Sequence, residues 1–156
     1  MRLLVIAVSA RQPAWIEAGF EEYARRMPRE ARIELIRIKP ERRTSQASDE
    51  RLLAGEAVRI TAALPRASLR IVLDERGDSI DTALFARRMQ SWMSAGREVA
   101  FLIGGADGLA RSVKDSADAA LSLSPMTLPH GLARVLLAEQ LYRAVSILQH
   151  HPYHRA

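Results

Sequence analysis

The feature that most constrains the fold of this 156-residue chain is an alternation: short runs of branched apolar residues, each followed by a longer segment with helical spacing. The runs fall at 3–9, 32–38, 69–74, 99–104 and 120–124. After the first, Pro13 suits an opening helical turn, and Trp15, Ile16, Gly19, Phe20, Tyr23 and Met27 recur at three- and four-residue steps before Pro28. Segment 48–63 opens on a Ser or Asp cap and ends before Pro65, and 81–95 starts at Asp81 and stops at Gly96. A weaker helix follows Gly108, and a strong one spans 129–149. Five strand–helix pairs in strict alternation predict an α/β fold: a mostly parallel sheet with helices on both faces, joined by right-handed crossovers.

The chain reads as one domain, 1–156, because no linker, repeat or low-complexity tract divides it. Its 48% hydrophobic and 26% charged residues can bury one core, which excludes a disordered chain. With no cysteine, disulfides and thiolate chemistry are excluded as well. The apolar opening "LLVIAV" is too short to span a bilayer and has no cleavage pattern, so the expectation is a cytoplasmic protein with no membrane partner. The net charge of +5, carried mostly by arginine because only Lys39 and Lys114 are lysines, favours polyanionic partners such as RNA or DNA. "PERRTSQASDE" reads as a basic, polar surface loop. On the last helix, Leu132, Val135, Leu136, Leu137, Leu141, Val145, Ile147 and Leu148 exceed a single apolar stripe. Either a homodimer contact or deep burial within the monomer accounts for the excess.

Three segments can carry chemistry. "LIGGADGL" ends a strand in Gly104 and Gly105, with Gly108 following, and glycine at the carboxyl end of a parallel strand lets a ligand approach the backbone. It is neither the dinucleotide fingerprint nor a phosphate-binding P-loop, and a plain tight turn is the bland alternative. "LSLSPMTLPH" leaves the fifth strand through Pro125 and Pro129 and forms a stiff apolar wall whose backbone can bond a flat heterocycle; an ordinary proline-bounded loop is its alternative. "HHPYHRA" gathers His150, His151 and His154 at the end of the chain. No acidic ligand lies near them in sequence and no H-E-x-x-H appears, so no metal is expected; a frayed end or a functional tail over 150–156 remains. Arg134 and Arg143 fit a solvated side of the last helix, His130 its start, Glu139 a paired charge and Asp74 a cap. No triad or carboxylate pair can be assembled.

Taken together, "LIGGADGL", "LSLSPMTLPH", "ARVLLAEQLYRA" and "HPYHRA", with the opening "VIAVSARQPAWIEAGFEEYARRM" and the "LDERG" segment, closely resemble the small SPOUT-class methyltransferases of the RlmH type. The resemblance covers nearly the whole chain. It implies a C-terminal trefoil knot (an α/β knot), a homodimer, and S-adenosyl-L-methionine as cofactor. The implied activity is methylation of N3 of a pseudouridine in large-subunit rRNA on the assembled ribosome. Carried over by position, Leu73, Gly104, Gly105, Leu123, Ser124, Pro125, Met126, Thr127 and Leu128 would hold the cofactor. His154, Arg155 and Tyr153 are the catalytic candidates, and His130, Arg134 and Arg143 would organise substrate or tail. The chain departs from the family pattern in having Ala106 and Asp107 where the loop often reads Pro-Glu, and in ending on Ala156 instead of an acidic residue. The rival class is a non-catalytic basic RNA-binding module, which would not bind S-adenosylmethionine. A Rossmann-type oxidoreductase is disfavoured by the missing fingerprint.

Overall fold

A computed structural model describes residues 1–154. In chain order the elements are β1 (Arg2–Val8), α1 (Ala14–Arg26), β2 (Arg32–Ile38), α2 (Asp49–Ala63), β3 (Leu69–Ser79), α3 (Thr82–Ser94), β4 (Val99–Ile103), α4 (Arg111–Asp115), β5 (Ala119–Ser122) and α5 (His130–Leu148), followed by a 3-10 turn, Pro152–His154. The strands form one sheet in the order β2-β1-β4-β3-β5. All four strand pairs are parallel.

Burial on both faces explains why the strands read as continuous apolar runs. Side chains alternate along β1, so Leu3, Val5 and Ala7 join the core beneath α1, α3 and α5, with Phe20, Phe85, Met89, Leu137 and Leu141. Leu4, Ile6 and Val8 face the other way, against Ala57 and Ile60 of α2 and Val113 of α4. Each fully buried large aliphatic contributes about 1.5–3 kcal/mol relative to exposure. The helix starts follow local chemistry: Arg51 N–H donates to the Ser48 hydroxyl at 3.3 Å, and Leu84 N–H to the Asp81 carboxylate at 2.7 Å. The weak fourth helix amounts to five residues.

β3 runs past its expected end because its register breaks. Leu73 and Asp78 are both paired with Leu121 of β5, so residues 74–77 loop out and the strand resumes. Gly77 makes the return possible, since a Cβ there would lie 2.7 Å from the backbone of Ala120 and Leu121.

Much of the apolar excess of α5 is buried within the monomer, where Leu137, Ala138, Leu141, Ala144 and Val145 enter the core shared with α1 and α3. Leu136 stays 38% exposed.

Arg134 corrects an expectation. Instead of lying on a solvated side it is 1% exposed, with its Nη2 2.9 Å from Glu17 Oε1 and its guanidinium carbon 5.7 Å from the centre of the Phe20 ring. Its guanidinium is therefore not at the surface of the monomer. The position one turn after His130 turns it inward toward α1, and its stem fills the helix–helix contact. Its three guanidinium nitrogens lack an aligned hydrogen-bond partner among the described residues, so its charge is balanced mainly by Glu17. Burial works to raise the Glu17 pKa, but Arg37 at 2.5 Å, the Gln12 N–H and Arg134 together hold it at about 2, against a usual 4.5.

Replacing Glu17 by Gln leaves a buried cation uncompensated and is expected to cost about 3 kcal/mol in urea unfolding at pH 7. A carboxylate with a depressed folded pKa stabilises above its unfolded value. The difference between wild type and variant is therefore full above pH 4.5 and shrinks as pH falls toward 2.

Candidate active site

The carboxyl ends of β3, β4 and β5 open into a cleft of about 740 Å³, where the glycine loop, the β3 bulge and the wall after β5 converge on the start of α5. Gly104 follows β4 directly, and a Cβ on it would collide with the backbone of Gly108, which itself has φ of 78°. The loop closes through Gly108 N–H donating to Gly105 O at 3.1 Å. Asp107, one of the departures from the family pattern, pairs with Arg43 of the basic loop.

Across the cleft, the wall is shaped from within. Ser122 Oγ donates to Ser124 O at 2.8 Å, and Met126 N–H donates to Ser124 Oγ at 2.9 Å. Residues 125–128 make no backbone–backbone hydrogen bonds among the described residues, so apart from the Met126 N–H held by Ser124 the peptide groups of Thr127 and Leu128 are open to a ligand. Met126 is 75% exposed at the mouth. The bulge supplies Asp74, Glu75 and Arg76, which the sequence reading had not placed in the site. Lys114 at 2.5 Å and the Arg76 N–H hold the Asp74 carboxyl below its usual pKa, against the effect of its partial burial. Thr127 Oγ1 donates to Glu75 Oε2 at 2.9 Å, tying the wall to the bulge. A bulge is hard to recognise in sequence; the signal available was Gly77 after three charged residues in a strand-like run.

The residues carried over for the cofactor lie together: Leu73, Gly104, Gly105, Leu123, Ser124, Met126, Thr127 and Leu128 line the cleft, and Pro125 does not. His130 lines it from the first turn of α5. The fit to a nucleoside sulfonium is good in kind: glycine backbone without a Cβ, a wall with free peptide groups, and carboxylates at the rim.

The tail lies elsewhere. His151 N–H donates to Ser146 O at 2.8 Å and His150 N–H to Ile147 O at 3.1 Å, with His150 at φ 55°, which is a Schellman stop for α5. It turns the chain back so that Tyr153 packs on α5. Tyr153 OH donates to Glu139 Oε1 at 3.1 Å, Arg143 lies 4.9 Å from the centre of its ring, and Tyr142 meets it edge-on at 4.6 Å. Burial, then Tyr23 and Glu139, push the Tyr153 phenol upward, so it stays a neutral donor. Arg143 Nε donates to Glu139 Oε1 at 2.8 Å, so this arginine organises the tail and does not line the cleft. His154 Nδ1 is buried without a partner among the described residues. Arg155 lies outside the described residues. With about 1.5 Å of rise per residue, Arg143 sits about 20 Å along α5 from His130. Within one chain, therefore, Tyr153 and the cleft are apart. Among the described residues no group of three metal-ligating side chains occurs, and no helix is long and apolar enough to cross a membrane.

Comparison with known proteins places this geometry. A family profile described as "Predicted SPOUT methyltransferase" matches residues 1–154. The chain is 58% identical to the ribosomal RNA large subunit methyltransferase H of Nitrosospira multiformis and 54% identical to that of Burkholderia multivorans, each over the full length of both chains. Among solved structures, a probable methyltransferase from Bordetella pertussis aligns with TM-score 0.57 at 16% identity, covering 92% of this chain and 93% of that one. A probable methylase family protein from Haemophilus influenzae aligns at 0.55 and 16% identity, covering 99% and 70%.

Two substitutions probe the site separately. Gly104→Ala forces the glycine loop off Gly108, and calorimetry with S-adenosylmethionine is expected to show at least about a tenfold loss of affinity. His150→Gly relieves a left-handed residue at the helix stop and is expected to raise unfolding stability by about 0.5–1 kcal/mol.

Proposed function

The chain belongs to the SPOUT methyltransferase family, and from that premise we propose that it methylates N3 of a pseudouridine in large-subunit rRNA on the assembled ribosome, as a cytoplasmic homodimer of single-domain subunits. SPOUT methyltransferases use S-adenosylmethionine, and membership of the α/β-knot class implies a C-terminal trefoil knot. The reading rests above all on one observation: Leu73, Gly104 and the wall residues Leu123, Ser124, Met126, Thr127 and Leu128, distant in sequence, meet in one cleft at the carboxyl edge of the sheet. The rRNA substrate follows the names of the full-length relatives and agrees with the net charge of +5.

When bound, S-adenosylmethionine supplies a methyl group activated on a sulfonium. Leu73, Gly104, Gly105 and the wall would hold it, while the protein aligns the acceptor and excludes water. N3 of the base lies between two carbonyls and carries an imide proton, so its lone pair becomes nucleophilic as that proton leaves. His154, whose ring Nδ1 has no partner among the described residues, would accept that proton as the methyl passes from the sulfonium sulfur, which leaves as the neutral thioether, to N3. Arg155 stabilises the charge spreading onto the carbonyls, and Tyr153 packs against the base. His130 acts at the cleft wall, whereas Arg134 and Arg143 serve indirectly, through Glu17 and through Glu139.

The tail lies at the far end of α5 from its own cleft, and Leu136 leaves an apolar spot open on that helix. In the homodimer, α5 packs against the partner and each tail completes the neighbouring cleft. Methyl transfer from labelled S-adenosylmethionine to ribosomes lacking the modification is the test. A chain ending at Gln149 is expected to lose at least about a hundredfold in turnover while still binding the cofactor. Mixing it with a Gly104→Ala chain restores activity if sites are shared between subunits. No recovery in verified mixed dimers would place the tail over its own cleft. Undiminished turnover on truncation would remove its catalytic role, and failure to bind S-adenosylmethionine would favour the non-catalytic RNA-binding module.

A further inference from the structure

The cleft residue His130 has a partner in the loop after β1. Gln12 Nε2 lies 3.3 Å from His130 Nε2 and donates to Ala10 O at 3.2 Å. A carboxamide nitrogen carries two hydrogens and its oxygen none. Because the Ala10 carbonyl can only accept, the nitrogen end of Gln12 must face it, and the second hydrogen is left for His130. A ring nitrogen that receives this hydrogen is the one without a proton.

The surroundings leave room for this orientation and fix the backbone that carries it. Gln12 Oε1 occupies the space over Gly131, where any Cβ would collide with it. The Gln12 backbone N–H donates to Glu17 Oε1 at 3.1 Å, and that carboxylate is in turn gripped by Arg37 and Arg134. His130 and Arg134 are one turn apart on α5, so a single helix face meets both ends of the 12–17 segment.

We propose that Gln12 is a positioning residue that selects the Nδ1–H tautomer of His130. The imidazole then offers the cleft a hydrogen-bond donor for a ligand oxygen, instead of a base. The buried Glu17–Arg134 pair keeps the loop carrying Gln12 in register with α5. His130 is thereby removed as a proton acceptor, and that task stays with the tail.

The consequence for turnover rests on the methyltransferase reading, but the tautomer does not, so the two are measured separately. Long-range proton–nitrogen NMR on the full-length protein with labelled histidine is expected to show His130 as Nδ1–H. Gln12→Glu puts an acceptor opposite Nε2 and is expected to invert the tautomer to Nε2–H. Gln12→Leu, and Gly131→Ala, whose methyl displaces Oε1, are expected to leave a mixture. At saturating S-adenosylmethionine, turnover of Gln12→Leu and Gly131→Ala falls about three- to tenfold, the effect of one lost hydrogen bond. An Nε2–H tautomer in the wild type, or one unchanged by Gln12→Glu, overturns the proposal. So do tautomers as expected with turnover unchanged. A wild type that shows the Nδ1–H form yet transfers no methyl group to ribosomes upholds the Gln12–His130 pairing and instead defeats the rRNA reading.

Discussion

At the carboxyl edge of the sheet, backbone packs directly against backbone. Gly77 returns β3 onto β5 and Gly104 lies against Gly108, both at separations that no side chain would allow. The rest of the site depends on this crowding. It lets residues 74–77 loop out without ending the strand, so that Asp74 reaches Lys114 and Glu75 reaches Thr127. The cleft is thus bounded by a bulge and a wall tied to each other and by a glycine loop closed on itself, all anchored to a sheet buried on both faces. That is the rigidity that binding without large reorganisation requires.

A second set of constraints is electrostatic and runs along α5. At one end Arg134 is buried against Glu17, which Arg37 also holds. Further along, Glu139 binds both Arg143 and Tyr153 and so seats the tail. A buried charge pair is costly to desolvate and adds little net stability, but breaking it strands a charge, so such pairs specify geometry more than they strengthen the fold. Here the first pair fixes how α1 approaches the cleft end of α5, and the second fixes where the chain terminus turns.

Sequence periodicity and caps were enough to place the five strands and five helices, because a residue's hydrophobic neighbours at i+2, or at i+3 and i+4, report its local geometry. Ser48 and Asp81 cap the helices they were expected to cap. The glycine loop and the proline-bounded wall were recognisable as site candidates for the same local reason. The β3 bulge was not, since its charged residues resemble a strand end until β5 is present to pair with Asp78 and Ser79. The burial of Arg134 is not legible locally, because a charge on a helix is ordinarily solvated and nothing nearby in sequence reveals the carboxylate on α1 that meets it.

By itself, then, the sequence determined which segments become strands and helices, that the sheet is mostly parallel, and which glycine- and proline-bounded loops are candidates for a site. These follow from interactions a few residues long and from the crossover each parallel strand needs. Only the tertiary structure decided that Leu73, Gly104, Leu123, Ser124 and residues 126–128 share a cleft, that Arg134 is buried, and that the histidine-rich terminus folds back along α5 far from that cleft. Each of these depends on contacts between residues remote along the chain. Such contacts exist only once the helices are packed and both faces of the sheet are closed.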